Sequence, residues 1–192
     1  MNRKLLFVVA ALAVLALLGG AAVGRSLLSQ ETPTPAKGAD IIRFKDEISK
    51  VSIAYPATWR KLADRPSEPD RALAVSPGGL DMLVMRVANP GLEPVTREGL
   101  PIVRKFTDGL LAEDPRIRQR VAPQAVIVGG LPGWRYQYNF GTGDASGTHD
   151  HYFLFKDRLM IQLVFQAVPA ARFSELAPTF NAIAASFRGR ET

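Results

Sequence analysis

Val51, Ile53 and Tyr55 alternate with Ser52 and Ala54, and the run stops at Pro56-Ala57-Thr58-Trp59. Set beside the last forty residues, this segment limits the fold more than any other. A period of two is that of a half-buried strand. A proline, which cannot donate to a ladder, closes it, and Trp59 is placed to fold back onto the strand it follows. At the far end Phe173, Leu176, Phe180, Ile183 and Phe187 recur at three- and four-residue spacing. That spacing draws one continuous apolar stripe on a helix from about Ala170 to Phe187. Pro178 lies inside the run and is expected to kink the helix or limit its first turn.

The stretch between these ends reads as more strands around one further helix. Ile41–Phe44 is a short strand. Ala72–Ser76 and Met82–Val87 are strands joined by Pro77-Gly78-Gly79, and Asn89-Pro90-Gly91 closes the pair. A helix is expected from about Arg97 to Ala112, with Thr96 as cap and Val103, Phe106 and Leu110 on one face, stopped by Asp114-Pro115. Arg118–Val128 reads as one strand and Gly133–Phe140 as the next, with Gly129-Gly130 between them. Thr148–Phe155 and Leu159–Gln166 form a hairpin around Lys156-Asp157-Arg158. The runs 133–140 and 159–166 hold the largest apolar residues and are expected at the centre of the sheet. Antiparallel strands interrupted by two helices give an α+β domain.

Residues 1–24 are a leader. Arg3 and Lys4 precede an uncharged run from Leu5 to Gly24. Twenty residues of helix span roughly the 30 Å of a bilayer core, and the basic end is expected to stay in the cytoplasm. Two readings stand: a signal peptide cleaved at the small-x-small site Ala22-Val23-Gly24, or an uncleaved signal anchor. The first makes the domain periplasmic or secreted. The second holds it at the cell membrane, single-pass, on the extracytoplasmic side. Residues 25–40, with Pro33 and Pro35 and no apolar period, are an extended tether. The domain runs from 41 to 188, and 189–192 is a tail.

Charge and cysteine narrow the classes of function. The chain carries 24 Lys and Arg against 18 Asp and Glu, a mild excess compatible with anionic lipid or an acidic partner. No aromatic–basic motif points to nucleic acid. Without cysteine the chain has no disulfide, no thiolate metal site, no cysteine nucleophile and no lipoprotein anchor, so the hydrophobic core alone must hold the domain.

Three constellations could carry chemistry. His149 and His151 alternate within a strand, so both lie on one face, near enough to share a divalent metal. Asp144 is a candidate third ligand, while Asp150 points to the other face. The alternative is that the pair merely decorates a strand edge. Arg116, Arg118 and Arg120 alternate on one side of an extended segment and are candidate contacts for phosphate or carboxylate groups. Their alternative is a solvated strand face. Ser146, His149 and Asp150 are near in sequence but have no nucleophile elbow. Gly141, Gly143 and Gly147 sit between strands rather than before a helix, so they make no phosphate loop. With no visible acid, base and nucleophile together, the expectation is a non-enzyme without a cofactor.

Tyr55-Pro56-Ala57-Thr58-Trp59, the Gly130-Leu131-Pro132-Gly133-Trp134-Arg135-Tyr136 stretch, the aromatic strand His151-Tyr152-Phe153-Leu154 and the ending Ala184-Ala185-Ser186-Phe187 together resemble the PsbP-like family. The resemblance covers roughly residues 41–188. It implies an α/β/α sandwich with a central antiparallel sheet. Plant and cyanobacterial members are extrinsic photosystem II proteins, and others are assembly proteins, a Ran-binding transport factor and bacterial envelope proteins. It therefore implies a domain that binds and assists a membrane protein complex, a photosystem if the source is a phototroph. The second expectation is a small-ligand or metal binder, using a groove between sheet and helix with the histidines at its rim.

Overall fold

The computed structural model describes residues 40–143 and 146–190. The leader, nearly all of the tether and Asp144 lie outside the described residues. Among the described residues no helix is long and apolar enough to cross a membrane.

An antiparallel hairpin, β1 (Ile41–Asp46) with β2 (Val51–Pro56), opens the domain. It stays separate from the main sheet. That sheet contains β3 (Arg60–Lys61), β4 (Arg71–Gly78), β5 (Asp81–Ala88), β6 (Arg118–Gln119), β7 (Gln124–Val128), β8 (Leu131–Phe140), β9 (Gly147–Lys156) and β10 (Leu159–Ala167). Its order is β3-β4-β5-β10-β9-β8-β6, and β7 also pairs with β8. All pairings are antiparallel. Helix α1 (Leu100–Ala112) follows β5, and α2 (Phe173–Ser186) ends the domain after a short 3-10 turn at Ala170–Arg172.

The strand pleat sorts the two faces. On one, Leu73, Val75, Leu83, Met85, Leu154, Leu163 and Phe165 pack against Leu176, Phe180 and Ile183 of α2 and Val51, Ile53 and Tyr55 of β2. Trp59 is buried here, edge-on to Phe180 at 6.3 Å. On the other face, Trp134, Tyr136, Phe153, Phe155 and Met160 receive Leu100, Val103, Leu110 and Leu111 of α1. The layers are thus helix, sheet, helix, which is the α/β/α sandwich that the resemblance implies.

Some local expectations are corrected. The strand expected over Arg118–Val128 is two strands. Pro123 lies between them and has no N–H to give, so β6 pairs with Tyr138–Asn139 and β7 pairs separately with Leu131–Arg135. Helix α1 starts at Leu100 rather than Arg97. Its cap is Gly99, and Pro101 occupies the first turn, where a missing N–H costs nothing. Pro178 lies inside α2, which continues past it to Ser186. The run 159–166 is central as expected, but its central partner is β9, and β8 stands nearer the edge.

Candidate functional site

Polar side chains interrupt the apolar face under α1. Tyr138 on β8, His149 and His151 on β9, Gln162 and Gln166 on β10, and Arg86 on β5 all point to this face and are all buried. They form a file across the four strands. The Tyr138 hydroxyl lies 3.0 Å from Nδ1 of both histidines. His149 Nε2 is 2.8 Å from Gln166 Oε1, and His151 Nε2 is 3.1 Å from Gln162 Oε1. Gln166 then donates to the Leu80 carbonyl at 2.7 Å. Each ring also packs on a phenyl group: His149 on Phe140 at 4.1 Å and His151 on Phe153 at 4.0 Å. Burial pushes His149 down to about 4, against the opposing effect of its hydrogen bond to Gln166. Burial and the neighbouring His149 hold His151 well below the usual imidazole range. Both rings are therefore neutral at neutral pH.

At the other end of the file, Arg86 is paired with Asp70 at 2.9 Å and Glu68 at 3.3 Å, and Arg71 meets Glu68 at 3.2 Å. These pairs pin the loop before β4 onto the sheet. One donor of the cluster, Arg86 Nε, is buried without an acceptor.

A cleft of about 360 Å³ opens beside this file, between the C-terminal half of α1, the loop into β6, and β8. Tyr136 and Tyr138 form its floor, Leu111 and Ile117 are walls, and Asp108 and Asp114 stand at its rim. The Tyr136 hydroxyl donates to Asp108 at 2.8 Å and lies 2.7 Å from Thr107 Oγ1. Burial pushes the pKa of both phenols well above the usual value, and the charge of Asp114 acts on Tyr138 in the same direction. A hydrogen bond from Arg116 holds Asp114 below the usual carboxylate range. A second cleft, about 390 Å³, lies between the β7–β8 and β9–β10 turns. Its Lys156 is spent on the carbonyls of Ser49 and Lys50, and no buried polar file reaches it.

The residues expected to carry function are placed as follows. His149 and His151 do share a face, but inside the sheet rather than at a groove rim or strand edge, and both nitrogens of each ring already have partners. Among the described residues no group of three or more metal-ligating side chains occurs. Asp150 is on the opposite face, as its alternation requires, in a double hydrogen bond to Arg135 at 2.7 Å. That separates it from His149 and Ser146. Arg116, Arg118 and Arg120 are all exposed but turn to different places. Arg116 grips Asp114 at 2.8 Å, Arg118 meets the carbonyls of Pro115 and Ile117, and Arg120 lies over Phe173 at 5.4 Å and bonds Thr148. Reading residue types alone overlooked Tyr138, Gln162, Gln166 and Arg86. Their signal was present: Gln162 and Gln166 are two polar residues four apart in an otherwise apolar strand, hence on one face.

No protein-family model matches the chain, and no curated protein matches it in sequence. Solved structures do match in fold. Cyanobacterial PsbP (CyanoP) from Synechocystis sp. PCC 6803 superposes with a TM-score of 0.57 at 14% identity, over 82% of this chain and 96% of that one. LpqN of Mycobacterium tuberculosis, involved in cell envelope biogenesis, gives 0.52 at 16% identity, over 83% and 90%. The Ran-binding protein Mog1p of Saccharomyces cerevisiae gives 0.51 at 8% identity, over 78% and 95%. At such identities the likeness concerns architecture, and on that ground this chain has the PsbP-like fold.

Proposed function

We infer that this chain is a non-enzymatic, extracytoplasmic domain, held at the membrane by its leader, that binds a membrane protein complex and assists its assembly. In a phototroph that complex would be a photosystem. The observation that carries this reading is the fold match to nearly the full length of a cyanobacterial PsbP and of an envelope-biogenesis protein. The apolar run Leu5–Gly24 supports the membrane location. The commitment of His149, His151 and Asp150 to internal partners supports function without chemistry or cofactor. The exposed arginines Arg116, Arg118 and Arg120 are assigned as contacts for an acidic partner or anionic lipid. The test is mild crosslinking of the tagged full-length chain in its native membrane, followed by mass spectrometry. A stoichiometric membrane complex is the expected outcome, lost when all three arginines are reversed in charge. A membrane-bound chain that crosslinks to nothing overturns the reading.

The cleft beside α1 favours a second reading, a small-ligand binder. It is lined by two buried tyrosines, Tyr138 tied into the polar file and Tyr136 bonded to Thr107 and Asp108, a costly arrangement for a core with no polar role. Because the histidine nitrogens are occupied, this reading concerns an organic ligand in the cleft rather than a divalent metal at the histidine pair.

A further inference from the structure

An open strand edge is a template for another chain, and proteins blunt such edges with short strands or with charge. The main sheet ends on one side at β3, which is two residues long and wholly basic. The edge strand of the opening hairpin, β1, carries Arg43, Lys45 and Asp46. The other end of the main sheet is different. There β6 and β7 lie in succession along β8, on the side away from β9. β7 reads Gln-Ala-Val-Ile-Val, with neither charge nor proline. Ala125 is exposed, and Ile127 is 55% exposed.

The turn after β7 fixes which of its backbone groups face outward. Gly129 and Gly130 have φ of 57° and 83°, as a two-residue type I′ hairpin requires. In such a hairpin the flanking pair, Val128 with Leu131, exchanges both hydrogen bonds, and bonded pairs then alternate along the ladder. Val126 and Gln124 therefore also bond inward, to Gly133 and Arg135. Pro132, which lacks an N–H, stands opposite Ile127, where β7 asks for none. The N–H and C=O of Ala125 and Ile127 point away from the sheet, and among the described residues nothing bonds them from outside. Basic residues sit further along the same edge. Residues 116–128 hold Arg116, Arg118 and Arg120 and no acidic side chain. Asp114 neutralises Arg116. Among the described residues Arg118 and Arg120 meet no carboxylate: Arg118 bonds carbonyl groups, and Arg120 bonds Thr148.

Resting on the reading of the exposed arginines as contacts for an acidic partner, we propose that the β6–β7 edge takes an extended segment of a protein, which adds to the sheet as a further antiparallel strand. Its backbone bonds Ala125 and Ile127, and its apolar side chains lie beside Ile127. Its carboxylates lie beside Arg118 and Arg120, since opposite charges attract across adjacent strands. Every pairing in the sheet is antiparallel, so the segment runs from Val128 toward Arg118. Its apolar residues therefore precede its acidic ones. A lipid surface offers the arginines charge but no strand to add.

The probe is a peptide of about twelve residues, alternating Thr and Val and then Ser and Glu, long enough at roughly 3.3 Å per residue to run from Ile127 to Arg118. The controls are the same residues in reverse order, and micelles doped with phosphatidylglycerol. Each is added to the ¹⁵N-labelled full-length chain in neutral detergent, and the signals and deuterium exchange of the Ala125 and Ile127 amides are followed. The forward peptide is expected to saturate, to slow exchange of both amides at least about tenfold, and to bind at least about tenfold tighter than the reversed one. Ile127→Pro removes an outward N–H where an edge strand tolerates proline and is expected to abolish binding. Arg118→Glu with Arg120→Glu is expected to weaken it about tenfold. The peptide comparison on the unaltered chain stands whether or not a variant folds. Equal binding of both peptides, with shifts at Arg118 and Arg120 but unprotected amides, overturns strand addition and leaves the acidic-partner reading standing. Shifts at the arginines with the doped micelles alone assign them to lipid and overturn the proposal. Protection of the two amides in the free chain, growing with its concentration, gives the edge to a second copy and likewise overturns it. If neither peptide nor the doped micelles shift the arginine signals, the arginine reading falls as well.

Discussion

The Tyr138 hydroxyl is the junction of the buried file, because two imidazole nitrogens depend on one oxygen. Removing it leaves both nitrogens buried without a partner, and such orphaned groups cost about 1–3 kcal/mol. Tyr138→Phe is therefore expected to lose stability in that range in urea unfolding, with an unchanged slope against denaturant. An unaltered midpoint would mean that the hydroxyl does not bridge the two rings. At this scale the shared face of His149 and His151 was legible from their spacing, since alternate residues of a strand always face one way. Their burial was not legible. A histidine has the same polarity in a core as at a rim, and it is the tertiary structure that lays Phe140 on His149 and Phe153 on His151. Nor did the spacing reveal that Gln162, Gln166 and Tyr138 would take every ring nitrogen, because those partners come from neighbouring strands.

Among the elements, α2 shows a local rule overridden by packing. Pro178 is exposed inside the helix and has no N–H for the carbonyl of Ser174. The helix persists because Leu176, Phe180 and Ile183 are buried against the sheet. Pro178→Ala restores the missing bond without touching the core and is expected to raise stability by about 1–2 kcal/mol, less than the full helix penalty because alanine also frees the unfolded chain. Thermal unfolding reads this as a higher Tm, and a lower one would mean that the proline ring itself packs. Strands β4, β5, β9 and β10 were legible from alternation and glycine turns, and both helices from their stripes. The break between β6 and β7 was hidden, although Pro123 marked it, because both pieces pair with β8 and only that pairing fixes where each begins. The separation of the β1–β2 hairpin from the main sheet was hidden too, since hydrophobic alternation is the same in either sheet.

For the whole molecule, the buried histidines make acid a global destabiliser. Burial pushes His149 down to about 4 in the folded domain against an ordinary 6.5, and burial with the neighbouring His149 holds His151 well below the usual imidazole range. Between about 6.5 and 4 the unfolded chain binds protons that the folded chain refuses, so stability falls as pH falls through that window. The slope is up to about 1.4 kcal/mol per pH unit for each ring. Denaturant unfolding at a series of pH values between 7 and 4 checks this, and a flat profile would mean that the rings are charged or exposed. At this scale the amino-acid pattern alone determined the fold class, the number of helices and the lack of cysteine chemistry, because each depends on local periodicity or residue identity. The apolar leader is equally plain in the sequence, although it lies outside the described residues. Only the tertiary structure decided the strand order β3-β4-β5-β10-β9-β8-β6, the polar file beneath α1 and the cleft beside it. These arise where strands distant in the chain become neighbours, and a hydrogen bond between such strands leaves no trace in the local pattern of either.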